Sequence, residues 1–236
     1  MQWTVNAYLV TLSSLLLLGG SMGDRLGRRR VFVAGLILFT AASMLCGLAP
    51  STGFLVAARA LQGIGGALLV PGSLSILAAT FHPDDRARAI GAWSGMAGVT
   101  SSLGPFLGGW LIDAFTWRLI FFINVPIAAV AIAVTLRHVP ETRAPIRMPL
   151  DLVGAALVTV ALASISYAAI EQGASAQPVA AVVGVVALGA FLLYEHRSSH
   201  PMLPLGVFRS RQFSGANLTT FAVYAALSAA LFLVTL

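Results

Sequence analysis

Lysine does not occur in this chain; all fourteen of its basic residues are arginine. A Walker A phosphate loop needs its lysine, and a Schiff-base site, a retinal one included, needs an amine. ATP-driven work and lysine-linked chemistry are therefore excluded. Cysteine is almost as scarce: Cys46 alone permits neither an internal disulfide nor a cysteine metal cage. Charge as a whole is thin, at 9% of residues against about 25% in an ordinary soluble domain. What is present is apolar, 58% of the 236 residues, with a mean hydropathy of +0.90. So little polar surface cannot coat a globule in water, and the chain is expected to have the lipid bilayer as its solvent.

About 20 apolar residues cross a bilayer as a helix. Eight such runs are present, at 4–22, 31–49, 54–80, 88–112, 118–136, 151–171, 178–195 and 213–236. The first is too long for a signal-peptide core and has no basic residue before it, so it is read as a span. Twelve of the fourteen arginines fall on alternate connections: 23–30, 81–88, 137–150 and 196–212. The opposite connections hold only Arg118. Connections enriched in arginine face the cytoplasm, so the net charge of +6 is a topology signal and no nucleic-acid partner is expected. Both Met1 and Leu236 are then expected on the outer side, which suggests a piece of a longer polytopic chain.

The stretch 23–32, GDRLGRRRVF, carries five charges in ten residues. Its short connection predicts that the first two spans are antiparallel neighbours. Gly20, Gly23 and Gly27 are expected where backbones approach or turn. Asp24 sits at the membrane edge, where an arginine or a helix N-terminus is its expected partner. By composition the stretch is a positive-inside anchor with one compensating acid. By residue order, GSMGDRLGRRR resembles the G-x-L-A-D-R-x-G-R-R signature between the second and third helices of the major facilitator superfamily. That resemblance implies a cytoplasmic gate loop formed by Gly20, Asp24, Arg25, Gly27, Arg28 and Arg29, which locks the outward-open state.

Arg59 lies inside the third run, where a guanidinium costs at least ~2.5 kcal/mol unless it meets protein or water. Arg59, Gln62, Gly63 and Gly66 follow i, i+3, i+4, i+7 and share one helical face. Two readings stay open on spacing alone: Arg59 snorkels to the outer interface, or it sits in a polar cavity and senses a carboxylate. RALQGIGG resembles the superfamily's fourth-helix motif R-x-x-Q-G-x-G-G/A, which implies that Arg59 and Gln62 serve proton coupling. Pro71 in the same run permits a bend.

The fourth run is rich in glycine, with Gly91, Gly95, Gly98, Gly104, Gly108, Gly109 and a proline at 105. Such spacing permits close helix contact and is by itself common. LGPFLGGWL resembles the fifth-helix antiporter signature G-x-x-x-G-P-x-x-G-G, with Thr100 where a glycine is usual. The resemblance implies that Gly104, Pro105, Gly108 and Gly109 bend the helix during antiport. WRLIFFINVP, residues 117–126, resembles the sixth-helix start of fourteen-helix drug:proton antiporters, and equally suits an interfacial anchor. Asp151 to Gly154, the turn from Glu171 to Gly173, and residues 201–217 resemble that subfamily's two inserted helices and its approach to the second half.

The expected architecture is all-α integral membrane: a major facilitator fold, incomplete, with family helices two to nine. Its expected divisions are an N-terminal half without its first helix (1–136), a cytoplasmic linker (137–150), two inserted helices (151–195), a cytoplasmic loop (196–212) and the first helix of the second half (213–236). Rival classes fit poorly. GGSMG at 19–23 matches G-x-S-x-G but lacks a strand before it, and no H-E-x-x-H, selectivity filter or metal-ligand set is present. No enzyme activity, cofactor or metal is expected. None of the eight acids lies well inside a run, so the proton-loading carboxylate is not found here. The expectation is an inner-membrane, proton-coupled exporter of lipophilic small molecules, in partial form; the alternative is a transport-inactive remnant of one.

Overall fold

A computed structural model of the chain describes residues 2–143, 151–171, 173–198, 201 and 203–234, with side chains from Trp3 to Ala226. The described residues form α1 (Gln2–Leu26), α2 (Arg28–Gly47), α3 (Thr52–Thr80), α4 (Pro83–Ala114), α5 (Leu119–Phe122), α6 (Asn124–His138), α7 (Leu152–Ile170), α8 (Gln177–Arg197), a 3-10 turn (Leu205–Arg209) and α9 (Arg211–Val234). The expected linker 137–150 is described only as far as Arg143. Its remaining residues, Gln172, positions 199, 200 and 202 of the expected loop, and positions 235 and 236 of the expected last run lie outside the described residues.

Local chemistry explains the helix boundaries. Ser51 opens α3 by accepting the Phe54 N–H, and Asp151 opens α7 by accepting the Gly154 N–H at 2.7 Å. Pro83 starts α4, where a missing N–H costs nothing, and Asp84 and Asp85 complement the helix dipole in the same turn. Gly27 separates α1 from α2 at φ +117°, a conformation open to glycine and strained for other residues.

Among the described residues, six helical segments are long and apolar enough to cross a membrane: α1, α2, α3, α5 with α6, α7 and α8. The run expected at 88–112 falls on α4, which is not among the six, and the run expected at 213–236 falls on α9, whose side chains are described only to Ala226. In α4, glycine, serine, threonine and proline dilute the apolar residues. The packed part of the molecule is centred on α3, which lies against both α1 and α2. Although α1 and α2 are joined by one residue and touch, each makes its main contact with α3. Glycines make this possible: a Cβ at Gly65 would come 2.6 Å from the Phe39 backbone N, and one at Gly35 would come 3.1 Å from the Gly65 carbonyl. Close backbone approach replaces the hydrophobic drive that lipid does not supply. The helices α7 and α8 pack on each other and reach the bundle through α1.

Candidate functional site

Arg59 projects from the second turn of α3 into protein. Its Nε donates to the Thr4 carbonyl at 2.8 Å and its Nη1 donates to Gln62 Oε1 at 2.8 Å. The guanidinium lies over the Tyr8 ring, 4.5 Å from its centroid, and near the Phe121 ring at 5.9 Å. Bonds to a charged donor contribute about 1.5–3 kcal/mol each, and a desolvated cation–π contact up to about 2. Together these offset the insertion cost of the arginine, so Arg59 is held within the bundle by α1 and α5. Gln62 is 1% exposed and also accepts from Cys46 Sγ at 3.8 Å. The i, i+3 spacing thus joins Arg59 to Gln62, as expected. Gly63 and Gly66 share that face but are covered by α1: a Cβ at either would collide with the Tyr8, Thr11 and Leu12 segment. They bring α1 close enough for Thr4 and Tyr8 to reach the arginine.

At the opposite end of the bundle, Arg28 Nε and Nη2 both donate to Asp24 Oδ1, at 2.9 and 2.7 Å. Arg28 Nη1 reaches the Ser75 carbonyl at 3.5 Å, so this side chain links the end of α1 to α3. Arg25 is exposed. Gly20 rests against the Pro71 ring, whereas a Cβ at Gly23 would meet nothing within 4 Å. The close approach expected at Gly23 is therefore not observed; the turn is made at Gly27 alone.

Sequence reasoning missed the residue that organises this end, Glu141. No side chain of α2's own caps its N-terminus. Instead Glu141 Oε1 accepts the Arg29 N–H at 3.1 Å, and the Thr142 carbonyl accepts the Arg28 N–H at 2.9 Å. The same carboxylate lies 3.6 Å from Arg30 Nε and 3.9 Å from Arg29 Nε, while Arg29 Nη1 donates to the Val139 carbonyl. An acid at the positive end of a helix dipole is stabilising, and here it also faces two guanidiniums. Only a Pro-Glu-Thr triplet in the linker hinted at it. Tyr8, Thr4 and Phe121 had no sequence signal either, since their roles come from distant helices meeting.

Gly104, Gly108 and Gly109 of α4 face open space, with nothing within 4 Å of a Cβ, and Pro105 sits within an unbroken helix. The structure does not bring these residues to the Arg59 cluster. Near the α3–α4 turn, Leu77, Phe81, Trp93 and Met96 line a cleft of about 460 Å³ with Asp85 and Arg88 at its wall. The 117–126 stretch does more than anchor: Arg118 Nη2 donates to the Ala49 carbonyl at 3.2 Å, and Asn124 Nδ2 to Ser43 Oγ at 2.9 Å, tying α6 to α2.

Known proteins bear on this arrangement. The methylenomycin A resistance protein of Streptomyces coelicolor is 40% identical over 240 residues, covering 99% of this chain and 50% of the relative. The multidrug resistance protein Stp of Mycobacterium tuberculosis is 36% identical over 241 residues, covering 100% and 45%. The multidrug efflux pump LfrA of Mycolicibacterium smegmatis is 37% identical over 224 residues, covering 93% and 44%. The chain thus spans about half the length of these curated relatives. A crystal structure of the peptide transporter POT superposes at a TM-score of 0.59 with 16% identity, over 84% of this chain and 45% of the transporter, a likeness of fold alone. The Major Facilitator Superfamily model matches residues 1–236. A multi-pass helical chain with the half-buried arginine, the glycine-rich α3 and the arginine-rich turn, it belongs to the major facilitator superfamily.

Proposed function

We propose that this chain is part of an inner-membrane efflux transporter that exchanges protons for lipophilic small molecules, with its arginine-rich connections in the cytoplasm. One observation carries the reading. Arg59, inside the apolar helix α3, is fixed by a carbonyl, an amide and two aromatic faces, and among the described residues no carboxylate pairs with it. A guanidinium balanced only by dipoles and ring faces responds strongly to a carboxylate that approaches it or takes up a proton, because the surrounding dielectric is low. Arg59 and Gln62 form the coupling site in this reading. Asp24, Arg28 and Arg29 form the cytoplasmic latch, and Gly104, Pro105, Gly108 and Gly109 form the bending antiport helix. Residues 1–136 make up most of one transporter half, 137–150 the linker, 151–195 the inserted helices, 196–212 a loop and 213–236 the first helix of the other half. The relatives' names, with their resistance and efflux, support a drug-like substrate.

The test is dye export from cells carrying the gene in its natural reading frame. Export is expected to stop on adding a protonophore and in Arg59→Ala, with insertion of the variant unchanged. Normal export by Arg59→Ala overturns the coupling role; absence of export by the parent supports the transport-inactive reading instead.

A further inference from the structure

One of the two fixed acceptors of Arg59 is the Thr4 carbonyl of α1. Where that carbonyl sits depends on how this part of α1 is held, and the neighbouring residue ties it to another helix. Trp3 Nε1 donates to Glu171 Oε1 at 2.6 Å, and the Trp3 ring packs on Tyr167 with centroids 5.9 Å apart. Tyr167 is in the last turn of α7, and Glu171 is the residue that ends it. The substantial contact of the α7–α8 pair with the rest of the molecule runs through α1.

We propose that the α7–α8 hairpin positions the Arg59 site, with Glu171 and Trp3 as positioning residues that act through the Thr4 carbonyl. The proposal rests on the coupling role of Arg59 and goes beyond it by giving the inserted helices a task. A short bond to a carboxylate is about twice as strong as a neutral one, so it suits the task of holding α1 against α7. The line Glu171–Trp3–Thr4–Arg59–Gln62 then continues to Cys46, which is fully buried and the single cysteine of the chain.

Three variants test it in the natural reading frame. Trp3→Phe keeps a ring against Tyr167 and removes the N–H. Glu171→Ala removes the acceptor, and Glu171→Gln keeps an acceptor oxygen. Proton-driven export of a lipophilic cationic dye is measured in membrane vesicles across a range of pH. In purified protein, maleimide labelling of Cys46 follows the same network without transport. Trp3→Phe and Glu171→Ala are each expected to slow export about three- to tenfold, the loss of one charge-assisted bond. Both should move the pH profile the same way and speed Cys46 labelling. The double variant should be no worse than either single one, and Glu171→Gln should stay near the parent. An unchanged pH profile, unchanged labelling, or additive losses in the double variant overturns the proposal. If Glu171→Ala fails to insert, Trp3→Phe alone carries the same decision. Arg59→Lys separates the two levels: an unchanged profile there sinks the coupling role itself. A shifted profile there beside a parental one in Trp3→Phe sinks only the hairpin's part.

Discussion

Glycines recur along both α3 and α4, and the two helices use them in opposite ways. In α3, Gly63, Gly65 and Gly66 are buried, and an added Cβ would strike neighbouring helices. In α4, Gly91, Gly95, Gly98, Gly104, Gly108 and Gly109 have nothing within 4 Å of a Cβ, and Leu111 is the one buried residue. Met96, Phe106 and Trp110 of α4 are 73%, 79% and 58% exposed. A small-residue pattern states that something can come close; it does not state what does. Where a partner is at hand the glycine face is a seam, and where none is at hand the same face is open surface.

The contrast can be broken by substitution. Gly65→Ala places a methyl 2.6 Å from the Phe39 N and 2.8 Å from its Cα, backbone atoms that cannot step aside without moving a helix. A loss of about 1–3 kcal/mol is expected for that overpacking, read as thermal unfolding in detergent. Gly95→Ala and Gly108→Ala in α4 are expected to change stability by less than about 0.5 kcal/mol in this chain, and equal effects at the two helices would erase the comparison. Next in size is the linker cap. Glu141→Ala removes the acceptor for the Arg29 N–H and the partner of Arg29 and Arg30, at an expected cost of about 1 kcal/mol. Glu141→Gln, which can still accept, should lose less; a parental melting point in both variants would show that the cap is idle. The smallest effect is expected for Asp24→Asn. The Asp24 side chain is 46% exposed and its i, i+4 pair with Arg28 contributes only about 0.3–0.5 kcal/mol. Stability should hardly change while dye export falls, and a variant that exports normally would reduce this pair to an anchor.

Much of the fold is legible in the sequence because membrane spans depend on composition over one local window. Run lengths, the arginine bias of alternate connections and the absence of strands among the described residues follow from that, and the i, i+3 pairing of Arg59 with Gln62 follows from helical period alone. Of the eight expected runs, the one at 88–112 is the weaker span, because glycine, serine, threonine and proline dilute α4 as an apolar run. The expected turn at Gly27 is present, and the expected close approach at Gly23 is not, since only neighbouring helices decide whether a bare backbone is covered.

By itself, then, the sequence determined which segments are helices, the expected side of its basic connections and which residues carry charge into the apolar region. The partners of those charges were decided by tertiary structure. Arg59 meets a carbonyl 55 positions away, the α2 N-terminus is capped by an acid 112 positions from Arg29, and Trp3 finds Glu171 168 positions on. Periodicity encodes a helix face over a few turns but carries no address for the helix that will cover it. That address is set by close packing among α1, α2 and α3, where small residues let backbones approach and buried polar groups such as Gln62 and Ser43 meet partners from other helices.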